Sequence, residues 1–239
     1  IQCYGLDTID AKTFLVLEDF GGKSLDRIKT SSLFELKEFL ELAIQLADTL
    51  GELHKNQIIH KDIKPQNIIF NPQTREAKIT DFSIASRLSR ETQAISNPDR
   101  LEGTLAYLSP EQTGRMNRAI DYRTDFYSLG ITFYELLTGE LPFQATDPGE
   151  LVHCHIAKQP PAVHAINPAV PPMLSALVSR LMAKNAEDRY QSALGLKHDL
   201  EICLTQLVGT GTIDAFELGL RDVSDRFAIS EKLYGRQAE

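Results

Sequence analysis

Apolar positions along the chain change period several times, and each change marks an element. Thr13-Phe14-Leu15-Val16-Leu17 is a short β-rich apolar run, stopped by Gly21-Gly22. With an earlier strand, and a turn around Asp7 and Asp10, residues 1–22 read as two short strands. Over 35–54, Leu36, Phe39, Leu40, Ala43, Ile44, Ala47 and Leu50 recur at three- and four-residue steps. That spacing predicts a helix with one buried face. The period then breaks, and Ile68-Ile69-Phe70 and Ala77-Lys78-Ile79-Thr80 predict a small hairpin across Asn71-Pro72-Gln73-Thr74. Residues 83–105 hold no period and are rich in Ser, Thr, Asn and Arg. They read as a long loop, and long loops within a domain are usually functional or disordered. Between 124 and 137 the apolar residues Phe126, Tyr127, Leu129, Ile131, Phe133, Tyr134, Leu136 and Leu137 lie all round, which predicts a central buried helix. Thr138-Gly139 ends it and Pro142 prevents its return. Further helices are expected at 148–158, 172–183 and 192–207, with a Pro-rich stretch over 160–172. After Gly209-Thr210-Gly211 the helical pattern fades into what reads as a linker or the entry to another domain.

Composition narrows the class. The 239 residues are 42% hydrophobic and 24% charged, the balance of a globular protein and not of a disordered chain, a collagen-like repeat or a disulfide-stapled miniprotein. The length suits one large domain or one and a half. A net charge of −8 disfavours nucleic acid and anionic membrane as partners. Cys3, Cys154 and Cys203 fit neither a metal spacing nor a disulfide framework, so a reducing cytoplasmic setting is expected. No apolar run approaches the ~18 residues of a membrane span. The chain opens in mid-pattern at Ile1-Gln2-Cys3-Tyr4, which reads as a cut through a longer protein.

The residues with chemistry concentrate in Ile58-Ile59-His60-Lys61-Asp62-Ile63-Lys64-Pro65-Gln66-Asn67, between the first long helix and the hairpin, and in Asp81-Phe82-Ser83 directly after it. This arrangement resembles the catalytic loop and metal-binding triplet of protein kinases, H-R-D-x-x-x-x-N and D-F-G. Lys61 stands where Arg is usual and Ser83 where Gly is usual. Ser109-Pro110-Glu111 resembles the A-P-E triplet, with Gly103-Thr104 and Tyr107 before it as in the substrate-docking segment of Ser/Thr kinases. Asp125 in Asp125-Phe126-Tyr127-Ser128-Leu129-Gly130 and Arg189 in Asp188-Arg189-Tyr190 complete five motifs in the family's order.

The resemblance implies an α+β, protein-kinase-like fold. Residues 1–22 would be a remnant of the small-lobe sheet with the hinge, residues 23–207 the mainly helical large lobe, and residues 208–239 a linker towards a following ATPase-type module. It implies ATP and Mg²⁺ as co-substrate and cofactor and a protein Ser/Thr hydroxyl as acceptor. Asp62 would orient the attacking hydroxyl and Lys64 would stabilise charge on the transferring phosphate. Asn67 and Asp81 would hold Mg²⁺ through hard oxygen ligands. Leu17 would be the gatekeeper, and the backbone of Glu18 and Phe20 would bind adenine. Ser24 would lie near the ribose, Gln66 along the nucleotide and Ile69 on the pocket floor. Glu111 would pair with Arg189, and Asp125 would brace the catalytic loop through its backbone.

No G-x-G-x-x-G phosphate loop and no V-A-I-K-type strand precede the hinge, so residues 1–239 alone are expected to bind ATP weakly and turn over little. The tail from Phe216 to Glu239 and the run Gly114-Arg115-Met116-Asn117-Arg118 resemble large bacterial fusions of a Ser/Thr kinase, an ATPase module and a sensor histidine kinase. The alternative is a pseudokinase scaffold: Ser83 adds a Cβ where glycine gives freedom, and Lys61 offers a point charge in place of a guanidinium fork. Weak dependence on loop phosphorylation at Thr92, Ser96 or Thr104 is expected from Lys61. His153 and His155 flank Cys154, but helical residues two apart point to different faces, which argues against a metal site. Arg115, Arg118 and Arg123 form either a solvated basic face or a grip for an acidic substrate.

Overall fold

The computed structural model describes residues 3–10, 12–28, 34–87, 105–116, 118–145 and 147–223. The chain enters as an antiparallel hairpin of β1 (Cys3–Ile9) and β2 (Lys12–Leu17), with Leu6 opposite Leu15 and Asp7 opposite Phe14. Asp7 thus lies within a strand, and the turn narrows to Asp10, whose φ is 49°. Tyr4, Leu6, Phe14, Leu15, Val16 and Leu17 of this hairpin are all exposed.

The expected helix forms as α1 (Leu36–Lys55). Its buried face is Phe39, Leu40, Leu42, Ala43, Leu46, Ala47 and Leu50, while Ile44 is only partly buried. The face is wider than the sequence spacing suggests because α1 packs along the last helix, α6 (Ala193–Thr210), as well as on the core. Gln57, with φ 60°, turns the chain into the two-residue strand β4 (Ile58–Ile59). The loop 60–67 follows and ends in a 3₁₀ turn, Pro65–Asn67.

The predicted hairpin is β5 (Ile68–Asn71) and β6 (Glu76–Ile79). It is joined by β3 (Lys23–Ser24) into an antiparallel sheet of order β3-β5-β6. A last short strand, β7 (Ser86–Arg87), pairs with β4.

Helix α2 (Arg123–Thr138) is the centre of the fold and ends at the left-handed Gly139. All the apolar residues expected to line it are buried. At roughly 1.5–3 kcal/mol per large apolar side chain taken out of water, this one helix supplies a large part of the burial free energy. Around it lie α3 (Pro148–Ala157), α4 (Val163–Ile166), α5 (Pro172–Leu181) and α6. The fold is α+β, with a helical body and a small residual sheet. Residues 211–223 pack back on the helices: Ile213 is buried, and Phe216 and Leu218 lie against the core. Among the described residues, no helix is long and apolar enough to cross a membrane.

Candidate active site

Loop 60–67 takes its shape from a carboxylate elsewhere in the chain. Asp125, fully buried in the first turn of α2, accepts the backbone N–H of His60 at 3.0 Å and of Lys61 at 2.7 Å. His54, at the end of α1, donates Nε2–H to the same carboxylate at 2.9 Å. Lys61 is left-handed, with φ 69°, a conformation unfavourable for a side chain with a Cβ. It is held there from both sides, because Gln112 Nε2 donates to its carbonyl at 2.9 Å. His60 is buried and donates Nε2–H to Thr80 O at 3.1 Å, while its Nδ1 accepts the Asp62 N–H at 3.3 Å. The two bonds together select the tautomer protonated on Nε2.

Within the loop, Asp62, Lys64 and Asn67 converge. Asp62 Oδ2 accepts from Lys64 Nζ at 2.8 Å and from Asn67 Nδ2 at 2.9 Å. Asn67 Nδ2 also donates to Asp62 O at 2.8 Å. The amide nitrogen of Asn67 therefore spends both N–H bonds on Asp62, which leaves its oxygen facing the other way. Asp62 Oδ1 is buried and has no hydrogen-bond partner among the described residues. A buried carboxylate oxygen without a donor is costly. Asp199 Oδ1 and His155 Nε2 share that state, and of the three only Asp62 has a lysine and a side-chain amide converging on it.

Asp81 is linked to this loop through its neighbour, the Thr80 N–H donating to Asn67 O at 2.9 Å. Asp81 is itself left-handed, with φ 63°, and exposed, and Oδ1 accepts the Ser83 N–H at 3.3 Å. Carboxylate and amide oxygens of Asp81 and Asn67 are the hard donor set that Mg²⁺ prefers, so the residues present fit that ion. Ser83 does not adopt a left-handed φ, so its Cβ meets no backbone penalty here. The Phe82 ring packs edge-on against His60, 4.7 Å between centroids.

Of the expected nucleotide residues, Ser24 and Ile69 lie on the β3-β5-β6 sheet, while Leu17 is in β2 and Gln66 in the 3₁₀ turn. Ser24 lies opposite Ile69, and Ile69 opposite Lys78, so three residues form one cross-strand row. Lys78 Nζ reaches Glu18 Oε1 at 2.7 Å and sits 4.5 Å from the Phe20 ring centroid. Asn71 Nδ2 donates to the Phe20 carbonyl, so that oxygen already has a protein partner. Gly22 is required by close approach: a Cβ there would stand 2.7 Å from Ile69 Cγ2. Leu17 ends β2 and is 38% exposed. Gln66 is exposed and turns towards the Tyr107 hydroxyl, which donates to Glu135 at 2.6 Å. Burial, opposed by that hydrogen bond, pushes the Glu135 carboxyl above its usual range.

Downstream, Glu111 and Arg189 form a buried bidentate pair, at 2.7 Å and 2.8 Å. Ser109 caps the 3₁₀ turn Pro110–Thr113 in a reciprocal box with Gln112. Sequence reasoning missed Gln112, although the Ser-x-x-Gln spacing signals such a box. It also missed His54, Asn71 and Lys78, for which no local signal exists. His153 is exposed and His155 buried against the Tyr127 hydroxyl at 3.0 Å, so the two do point apart. Arg118 pairs with Glu187 at 2.9 Å and Arg123 with Asp121 at 2.6 Å, so both cations already have internal partners. Thr92, Ser96, Gly103, Thr104, Asn117 and residues 224–239 lie outside the described residues.

Comparison with known proteins gives the family. The model of the protein kinase domain family matches residues 1–200. The chain is 34% identical to the serine/threonine-protein kinase PknB of Mycobacterium tuberculosis, over 81% of this chain and 32% of that protein. It is 36% identical to a probable serine/threonine-protein kinase of Clostridium perfringens, over 84% of this chain and 29% of that protein. It is 32% identical to the hybrid signal transduction histidine kinase G of Dictyostelium discoideum, over 86% of this chain and 8% of that protein. The chain thus spans a third or less of the length of these relatives.

Proposed function

The chain belongs to the protein kinase domain family, and from that premise we propose that it is the catalytic domain of a serine/threonine protein kinase, moving the γ-phosphate of ATP to a protein hydroxyl. One observation carries this reading: Asp62, Lys64 and Asn67 meet within hydrogen-bond distance, and Asp62 keeps one buried oxygen free of any partner among the described residues.

Asp62 Oδ1 is the acceptor for the proton of the attacking Ser or Thr hydroxyl. The hydroxyl oxygen forms its bond to phosphorus as the bond to the ADP oxygen breaks, and the proton passes to Asp62. Lys64 carries positive charge beside the reacting phosphate. Asn67 and Asp81 would hold Mg²⁺, which when bound neutralises phosphate charge. Glu18 and Phe20 present the hinge backbone, with Leu17, Ser24, Gln66 and Ile69 around the nucleotide. Lys78 and Asn71 support the hinge from the sheet. Ser83 stands without a left-handed φ, which supports the catalytic reading over the scaffold-only alternative.

We read the domain as one module of a longer signalling chain with ATPase and sensor histidine kinase parts. Similarity to the Dictyostelium hybrid histidine kinase supports the latter. Free thiols at Cys3, Cys154 and Cys203 support a cytoplasmic setting.

The test is phosphoryl transfer by the full-length protein with ATP, Mg²⁺ and a protein acceptor. Asp62→Asn and Asp81→Asn should each lower kcat by about 100-fold or more, with folding unchanged. Unchanged transfer in both variants refutes the assignment.

A further inference from the structure

The segment after α6 stays on the domain. It turns at Gly211 and runs back across α5 and α6. The Asp214 N–H donates to Gln206 Oε1 at 2.7 Å, and the Gly219 N–H to Asp199 Oδ2 at 2.8 Å. The Phe216 N–H meets the Met173 sulfur at 3.4 Å. The run ends on Asp222, whose side chain is 1% exposed. That carboxylate accepts the backbone N–H of Gln191 at 2.9 Å and of Ser192 at 2.8 Å, and the Ser192 hydroxyl at 2.9 Å. It also pairs with Arg180 at 3.0 Å. Arg180 in turn donates to Leu218 O at 2.7 Å and lies over the Tyr190 ring at 4.5 Å.

The place where Asp222 grips is informative. Gln191 and Ser192 follow directly on Arg189-Tyr190, and Arg189 is the partner of Glu111. Ser192 is also the N-cap of α6, accepting the Gly195 N–H at 3.0 Å. A serine alone is an adequate cap. The extra carboxylate fixes something the cap does not: the extended backbone between Arg189 and the helix. Among the described residues, Asp222 is the sole acceptor recorded for the two amides there. The segment lies beyond residue 200, where the family match ends.

We propose that residues 213–222 are a C-terminal clasp in which Asp222 is a positioning residue for the Glu111–Arg189 pair. Through that pair it positions the segment leading into Glu111. Its catalytic consequence rests on the kinase reading; the clasp itself does not.

Two unlike substitutions release the clasp. Asp222→Ala removes the grip. Gly219→Ala acts from the other side: Gly219 has φ 81°, and a Cβ there would stand 2.2 Å from the Arg180 guanidinium. Val223→Ala, at a residue 71% exposed, is the control. Backbone amide exchange is followed by mass spectrometry in the full-length protein. Exchange at residues 105–113 and 186–192 should quicken about tenfold or more in both clasp variants and stay unchanged in the control. Faster exchange confined to 186–195, with 105–113 at the wild-type rate, overturns the proposal. Should Asp222→Ala not fold, Gly219→Ala decides by the same reading.

Kinetics give a second reading. Asp222→Ala should raise KM for the protein acceptor several-fold and leave KM for ATP unchanged. In a Glu111→Gln background the same substitution should add nothing further. Equal effects in both backgrounds overturn the positioning role. A wild-type protein without phosphoryl transfer refutes the kinase reading, while the exchange pattern still decides the clasp.

Discussion

Breaking one member of the Glu111–Arg189 pair should destabilise the protein by more than half as much as breaking both. Arg189 is fully buried and donates to Glu111 at 2.7 Å and 2.8 Å, and to the carbonyls of Ala183 at 2.8 Å, Arg123 at 3.0 Å and Lys184 at 3.2 Å. The Thr124 hydroxyl also donates to Glu111, at 2.9 Å. Arg189→Met leaves a buried carboxylate supported by that hydroxyl and strips a donor from three carbonyls. Removing one partner of such a pair costs about 3–5 kcal/mol. Against a total stability of about 5–15 kcal/mol for ordinary domains, that is a severe loss. Glu111→Leu should cost a similar amount, because it leaves a guanidinium buried without its anion. The double variant has no uncompensated charge, and the two losses should overlap by about 2 kcal/mol or more. Urea unfolding of the full-length protein measures this, comparing midpoints at constant slope. Losses that add within about 0.5 kcal/mol would refute the reasoning. The same pair sets an acid limit. Burial alone would push the Glu111 carboxyl up, but the hydrogen bonds and charge of Arg189 outweigh it and hold the carboxyl below its ordinary 4.5. Stability from a carboxyl lowered on folding is complete above that unfolded value and fades as pH falls through the folded one. Glu111→Gln should remove this acid slope.

Two further outcomes follow from buried groups. Asp125→Ala deprives the His60 and Lys61 amides of their acceptor; at about 1–3 kcal/mol per stranded donor, the unfolding midpoint should drop sharply and phosphoryl transfer should vanish. A variant with wild-type transfer would contradict the bracing role. Burial, helped by the charge of Lys184, lowers the His155 imidazole from 6.5 to about 4. Unfolding lets it take a proton between those values, so its contribution is whole above pH 6.5 and declines as pH falls towards 4. His155→Gln should flatten that part of the stability curve, and an unchanged slope would contradict the burial argument.

The body of the fold was legible because long elements repeat their own signal. Helix α1 differs from its expected span by one residue at each end, and the β5–β6 hairpin from its expected span by at most one. Asp62, Lys64 and Asn67 were legible for a different reason: they share one short loop whose motif resembles the catalytic loop of protein kinases. The row Ser24–Ile69–Lys78 depends on cross-strand register, which no single segment encodes. His54 carries no local signal of its role, because its partner Asp125 is 71 residues away. Residues 211–223 look like a linker because backbone amides and one carboxylate hold them, and neither leaves a period. The left-handed turn at Lys61 was invisible too, since its restraint comes from Asp125 and Gln112 rather than from a neighbouring glycine.

That restraint bears on substitution at residue 61. Asp125 grasps main-chain nitrogens, which every residue type but proline possesses. Those two anchors are therefore the same whether residue 61 bears an ammonium, a guanidinium or a neutral head group, and the approach to Asp62 keeps them through such an exchange.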